Sequence, residues 1–403
     1  MLAITSVERQ SAGWPLEWVP AGLDRLPKPM PYTQSPRRSA GRALAWGVAL
    51  GVGAVMLREL VRPREQVTQL IDWDKVEEVA MARCGEGQDS HVDRGVTDAY
   101  KAIEDDLEPV LNQALGTGSA VAGSRLYPGL TAVGRRQWVR FNIRIFRQMF
   151  APLERLQRMI PGSLMVSLGS RSISRYFGLM LGLLARRVLG QYDPALLGHE
   201  PVETNSLILV EPNVQAWAQK DSLPVDELRR WLAMHEMTHA WEFRAHPWLQ
   251  AYLEGLLSEV LIGNLTDGRR PSTLELIRTL TVGVGQQWKA ITKMQAVMSL
   301  LEGYSNLVMN DIGRRQLPHF DQLEASYRRR QEQRTPIERA FLRLTGMEMK
   351  MRQYVQGERF CREVRERGGK ELLSRVWEGP QLLPTLAEVQ HPNLWVERVR
   401  SAA

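Results

Sequence analysis

The chain has 403 residues, of which 44% are hydrophobic and 24% charged, a composition that supplies a sizeable core and excludes global disorder. Its formal charge of +7 comes from arginines spread among glutamates, and no nucleic-acid motif accompanies them, so we expect no nucleic-acid partner. The two cysteines, Cys84 and Cys361, are too few for a disulfide framework, which favours a reducing compartment and a cytoplasmic location.

Residues 1–65 are interpreted as an N-terminal extension, rich in Pro and Arg and separate from the main domain at 66–403. The extension contains an uncharged apolar run at 43–57, flanked by arginines. At 15 residues this run is slightly short for a spanning helix, which needs roughly 17–25 residues. It is therefore either a packed or interfacial helix or a membrane anchor, and anchoring is the alternative to a cytoplasmic location.

From Asp72 onward, apolar residues recur at three- and four-residue spacing, which predicts a mainly helical domain. We divide it into a helical lobe (66–200), a metal-site region (201–315) and a C-terminal helical region (316–403). The one strand expected is Ser206 to Val210, closed by a turn at Glu-Pro-Asn. The predicted fold class is α+β, predominantly α-helical, with a small sheet.

The next helix is expected to begin near Asp221 or Ser222, either of which can cap it, with Pro224 in its first turn. Further on, Thr335 opens a predicted capping box. That helix is expected to break or bend at Gly346, and the following helix is expected to end at residues 368–369.

The helix after the strand contains the sequence His235-Glu236-Met237-Thr238-His239. Residues four apart lie about one helical turn apart on nearly the same face, so the two imidazoles can share one metal ion. Glu236 points about 100° around the helix, where it can hold a metal-bound water and act as the general base. The spacing predicts a zinc hydrolase site. The alternative is a pair of core histidines.

A catalytic zinc needs a third protein ligand and an open position for water. The third-ligand positions of metzincins hold Glu242 and Ala245 here, and His246 is out of register, so that arrangement is excluded. Glu242 is more simply a salt-bridge partner.

A carboxylate from a later helix is the remaining source of the third ligand. Glu302, in an apolar stretch, is the preferred candidate, because an unpaired buried carboxylate is costly. Glu254 and Glu259 are weaker rivals. Asn306, one turn after Glu302, is expected to orient a ligand through a hydrogen bond.

Stabilising a tetrahedral oxyanion would need a further donor besides zinc. Four residues are the candidates, and we take the first as the catalytic one: Tyr304, His319, Arg352 and Tyr354.

Several stretches resemble the bacterial zincin-like family of zinc metallopeptidases, a family linked by name to deazaflavin coenzyme biosynthesis. The resemblance covers about residues 70–400 and includes WLAMHEMTHAWEF, MSLLEGYSNLVMN, GMEMKMRQYVQGERF and LLPTLAEVQHPNLWVERV. It implies a zincin-like fold and a Zn²⁺ site at His235, His239 and Glu302, with Glu236 as the base. The family's Leu-Glu-Gly segment often continues with His, whereas Tyr304 follows here.

Together these patterns favour a zinc-dependent metallopeptidase, similar to the gluzincins, that cleaves a peptide or amide bond of a peptide or protein substrate. The alternative is a zincin-shaped binding or scaffold protein with a structural zinc. A third reading is a protease tethered to a membrane through residues 43–57. The sequence leaves the oligomeric state open.

Overall fold

A computed structural model of the protein describes residues 71–85, 92–116, 126–159, 164–192, 207–261, 273–332 and 347–401. The apolar run at 43–57, the capping box at Thr335 and the break expected at Gly346 lie outside these residues. In the part of the chain that the structure describes, no helix is both long and apolar enough to cross a membrane.

The described chain is mainly helical, with short 3-10 turns at Arg375–Trp377 and Pro380–Leu382. Its α-helices are α1 (Trp73–Arg83), α2 (Arg94–Leu115), α3 (Arg135–Met159), α4 (Leu164–Ala185), α5 (Glu211–Asp221), α6 (Val225–Arg244), α7 (Pro247–Leu261), α8 (Thr273–Gln316), α9 (Phe320–Glu332), α10 (Met347–Ser374), α11 (Leu386–Gln390) and α12 (Pro392–Ser401). The helix at Met347–Ser374 has non-helical dihedrals at Gly368 and Gly369, which confirms the predicted interruption there. The predominantly helical α+β class is also confirmed.

The described residues form one three-stranded sheet. Its strands are β1 (Leu130–Val133), β2 (Gly190–Tyr192) and β3 (Leu207–Val210), in the order β1-β3-β2. The central strand pairs parallel with β1 and antiparallel with β2, where Gly190 lies opposite Leu209. The predicted strand is therefore present, and two further strands that we had not predicted flank it.

The sheet separates two hydrophobic cores, and this explains why β3 is apolar at every position. Leu207 and Leu209 belong to the core formed with α2, α6 and α8, whereas Ile208 and Val210 belong to the core formed with α1, α3 and α4. A strand covered on both faces needs apolar residues on both faces, since successive side chains point to opposite sides.

The motif helix α6 begins later than we predicted. Ser222 adopts the left-handed conformation, with φ of 54°, and ends α5, so it does not cap α6. Pro224 is the N-cap residue, and helical residues start at Val225. The turn expected at Glu-Pro-Asn is also wrong: Glu211 starts a helix directly after β3, with proline in its first turn, where a missing N–H costs nothing.

Helix α8 packs closely along α10, and two glycines make this approach possible. A Cβ atom at Gly303 would overlap the backbone at Gly357, and a Cβ at Gly357 would overlap the carbonyl of Ser299. Only glycine allows two helix backbones to come so close. The contact between Gly303 and Gly357 therefore fixes the segment of α8 that carries Glu302.

Candidate metal centre

Two imidazoles project from one face of α6, toward each other at their Nε2 atoms. His235 and His239 have ring centroids 4.7 Å apart, and their Nε2 atoms are 3.1 Å apart. Both lie on the stripe of α6 that also carries the buried residues Leu228, Trp231 and Leu232. The hydrophobic burial of this stripe holds the histidines in the interior.

A carboxylate arrives from the long helix α8. Glu302 Oε2 is 3.5 Å from His235 Nε2 and 4.0 Å from His239 Nε2. The three ligand atoms lie within 4.8 Å of one another. The structure therefore brings together side chains that lie 63 positions apart in sequence, those of His239 and Glu302.

These separations fit a tetrahedral zinc ion. With bonds of about 2.0–2.2 Å, two ligand atoms of such an ion lie roughly 3.3–3.6 Å apart. The observed separations of 3.1, 3.5 and 4.0 Å bracket this range. Two imidazole nitrogens and one carboxylate oxygen are also the donor set of catalytic zinc sites, which leave one position for water.

Glu236 follows the first histidine and lies beside the edge strand β2. Its side chain is buried, and a Cβ atom at Gly190 would lie 2.6 Å from its Cδ atom and would overlap its carboxylate. The glycine on β2 therefore makes room for the carboxyl group. Burial raises the pKa of Glu236, in the direction that suits a group accepting a proton near neutral pH.

The Glu242 carboxylate holds the other ring nitrogen of His239. Glu242 is fully buried, its Oε2 is 2.8 Å from His239 Nδ1, and its Oε1 accepts a hydrogen bond of 3.3 Å from Ser305 Oγ. This pairing turns Nε2 of His239 toward the cluster. The expectation that Glu242 is a salt-bridge partner is confirmed, and its partner is His239, three residues earlier on the same helix.

The charges of the cluster shift several pKa values. Burial disfavours the charged form of His239, but the Glu242 carboxylate outweighs it and raises the pKa of His239 to about 10. Burial raises the pKa of Glu242. Burial also opposes the charged form of Glu302, but a hydrogen bond from His235 and the charge of His239 lower its pKa overall. Glu302 is thus stabilised as a carboxylate, the form that binds a metal.

A cavity of about 620 Å³ opens onto these groups. Besides His235, His239 and Glu302, its wall contains Glu236 and Asn306. Most of the remaining wall is apolar or aromatic and includes residues of β2, α6, α7, α8 and α9. The cluster therefore faces a space large enough for part of a peptide, in mainly apolar surroundings.

Tyr304 lies elsewhere. Its ring stacks on Trp241 and packs edge-on against Trp377, and it lines a separate cavity of about 210 Å³. The reason is helical geometry, because a residue two positions after Glu302 points roughly 200° around α8. The expectation that Tyr304 donates a hydrogen bond at the site is therefore wrong.

The other predicted donors and ligands are also located by the structure. His319 pairs with Glu227 through a 2.7 Å contact and takes no part in the cavity wall. The side chains of residues 352 and 354 lie outside the described part of the chain. Among the described residues, the ligand cluster includes neither Glu254 nor Glu259.

Asn306 lines the cavity, but no hydrogen bond joins it to His235, His239 or Glu302 among the described residues. Its Oδ1 atom is buried without any hydrogen-bond partner. The side chain of Asn306 lies one helical turn after Glu302, in the cavity wall and not next to the ligand atoms. The predicted role of orienting a ligand is therefore corrected.

Comparison with known proteins gives one family and one solved structure. The family model described as zincin-like metallopeptidase matches residues 71–396. A crystal structure of a proposed hydrolase with a novel fold from Chloroflexus aurantiacus is similar, with a TM-score of 0.64 and 35% sequence identity. The match covers 82% of this chain and 99% of that chain. No functionally curated protein matches the chain.

Proposed function

The chain belongs to the zincin-like metallopeptidase family, and on that premise we propose that it is a zinc-dependent hydrolase of peptide or amide bonds. In this proposal His235, His239 and Glu302 hold the zinc ion, and Glu236 is the general base. The substrate is a peptide or a protein segment.

One observation carries the proposal. The Nε2 atoms of His235 and His239 and the Oε2 atom of Glu302 converge at separations of 3.1, 3.5 and 4.0 Å. The cluster lies at the wall of a cavity, so a substrate can reach it. A buried structural zinc would instead be enclosed by four protein ligands.

A zinc ion bound there would polarise a carbonyl group. It would also lower the pKa of a bound water to about 7, so that the water could lose a proton and attack the carbonyl near neutral pH. Glu236 would take the proton of that water at its carboxylate and pass it to the amine that leaves. Burial raises the pKa of Glu236, which is the direction that favours accepting a proton. The absence of a side chain at Gly190 leaves room for this carboxyl group.

Metal analysis tests the ligand assignment. We expect about one zinc per wild-type chain, and a large loss of bound zinc in His239→Ala and in Glu302→Ala. The matched control is Glu259→Ala, which removes an exposed carboxylate from α7 and should keep the zinc. Full zinc retention in both ligand variants would overturn the assignment.

Hydrolysis is tested separately, with a degenerate peptide library and detection of cleavage products by mass spectrometry. Wild type should produce new termini that a chelator abolishes. Glu236→Gln should keep its zinc but lose turnover by at least about 10²-fold. A wild-type protein that binds one zinc at these residues and cleaves nothing would favour the alternative, a binding or scaffold protein.

A further inference from the structure

Asn306 lies in the wall of the metal-centre cavity, and its carboxamide oxygen has no partner in the described part of the chain. Its side chain is on α8, one helical turn after Glu302, and the residue is only 5% exposed. The Oδ1 atom is buried and has no hydrogen-bond partner among the residues that the structure describes. The carboxamide therefore has unused hydrogen-bonding capacity beside the cluster.

An unpaired buried polar atom destabilises a protein by about 1–3 kcal/mol. A leucine of nearly the same size would avoid this cost and would match the apolar wall around it. The carboxamide can also rotate about its last torsion with little penalty, so either its oxygen or its N–H₂ group can meet a ligand. A polar group that lowers the stability of the free protein in this way can regain a hydrogen bond when a ligand binds.

The rest of the cavity wall is suited to an apolar side chain. Leu232, Leu253, Met298, Leu301 and Met309 all face it. A peptide matches both features of this wall. Its main-chain amide can form a hydrogen bond with a carboxamide, and its side chain can be large and apolar.

From these contacts we infer that Asn306 is the residue that hydrogen-bonds a main-chain amide of the substrate, next to a residue whose large apolar side chain fills the cavity. The inference rests on the proposed function, since it concerns the substrate of that same site. It makes Asn306 a specificity-determining residue and selects peptides with leucine-like residues at the cleavage point.

Hydroxamates that bind zinc can test the inference without any turnover. Three probes are compared by calorimetry on the zinc-loaded full chain: acetyl-leucine hydroxamate, acetyl-glycine hydroxamate and 4-methylpentanohydroxamate. The last has the leucine carbon skeleton but lacks the acetylamino group. We expect the leucine probe to bind at least about tenfold more tightly than the glycine probe, because of its extra buried methylene and methyl groups.

The variant is Asn306→Leu and the matched control is Asn310→Leu. Asn310 is on the same helix one turn later and also has an unpaired Oδ1 atom, but it does not line the cavity. Asn306→Leu should weaken acetyl-leucine hydroxamate about tenfold and change the affinity of 4-methylpentanohydroxamate less than about twofold. Asn310→Leu should change neither affinity. The melting temperature of Asn306→Leu should equal or exceed that of wild type, since an unpaired polar group is removed.

An equal loss for the two leucine-shaped probes, or no loss for either, would overturn the role of Asn306. Tighter binding of the glycine probe would overturn the apolar preference. Absence of binding for every hydroxamate would instead overturn the metal centre, and the inference with it. The expected affinity pattern without any peptide hydrolysis would refute the hydrolysis in the proposed function and leave Asn306 as a residue that binds the amide of a ligand at this site.

Discussion

Removing the charge of Glu242 should weaken zinc binding, although Glu242 is not expected to contact the metal. Its carboxylate lies 2.8 Å from Nδ1 of His239 and is completely buried, so solvent cannot replace the interaction. A hydrogen bond to a metal-bound imidazole fixes the ring and makes its other nitrogen a stronger donor. The substitution to test is Glu242→Gln, which keeps the size and one hydrogen-bond acceptor.

The loss of such a partner typically weakens metal binding by about 10–100-fold. This corresponds to roughly 1.4–2.7 kcal/mol of binding free energy. Ser305 Oγ is 3.1 Å from the same Nδ1 atom, so it retains part of the orientation and favours the lower end of that range. We therefore compare the zinc affinities of wild type, Glu242→Gln and Ser305→Ala as a graded series.

The assay is competition for zinc against a chelator of known affinity, with the melting temperature of each zinc-free variant as the control for folding. A second readout is the Nδ1 proton of His239 in the zinc-loaded protein, observed by ¹⁵N–¹H NMR. It should exchange with solvent faster in Glu242→Gln than in wild type. Zinc affinity within twofold of wild type, in a folded variant, would refute the reasoning.

Three further predictions follow from close contacts and from one ion pair. Gly190→Ala should keep zinc but lower kcat/KM at least about tenfold, because the new Cβ would displace the Glu236 carboxylate; unchanged kcat/KM would contradict the contact. Gly303→Ala should lower the free energy of unfolding in urea by about 1–3 kcal/mol or more, since its Cβ would overlap the backbone at Gly357; an unchanged urea midpoint would contradict it. Burial raises the pKa of Glu388, but hydrogen bonds from Arg398 outweigh burial and lower the pKa overall. The Glu388 carboxylate therefore stabilises the fold above about pH 4.5, and this stabilisation is lost as the pH falls. The stability difference between wild type and Glu388→Gln should accordingly be largest near pH 7 and vanish in acid; a constant difference would be inconsistent with it.

The cluster of His235, His239 and Glu302 could be anticipated from the sequence because part of its signal is local. Helical geometry alone relates His235 to His239 and sends Glu236 to a neighbouring face. Glu302 is remote in sequence, but a carboxylate within an apolar stretch indicates a buried partner. The family match at residues 71–396 confirms the resemblance inferred from these stretches.

The contacts that complete the site depend on tertiary structure and were not predictable. Strand β2 has three residues, too short for an alternating pattern, so nothing in the sequence indicated that Gly190 lies against Glu236. Tyr304 was assigned by its proximity to Glu302 in sequence, whereas its direction around α8 carries it into the cluster of Trp241 and Trp377.

The start of the motif helix shows a second limit. Ser222 is a residue type that caps helices at their N-termini, yet here it ends the preceding helix in the left-handed conformation. Both roles are compatible with the same local sequence, so the residue type alone does not decide between them.

X-ray absorption at the zinc edge tests the central claim most directly, because it reports the atoms bound to the metal in the full-length protein. We predict two imidazole nitrogens at about 2.0–2.1 Å and two oxygens at about 2.0–2.2 Å, one from Glu302 and one from water. Addition of a hydroxamate should change the oxygen shell only. A spectrum unchanged by His239→Ala and Glu302→Ala, or one with sulfur at about 2.3 Å, would contradict the account.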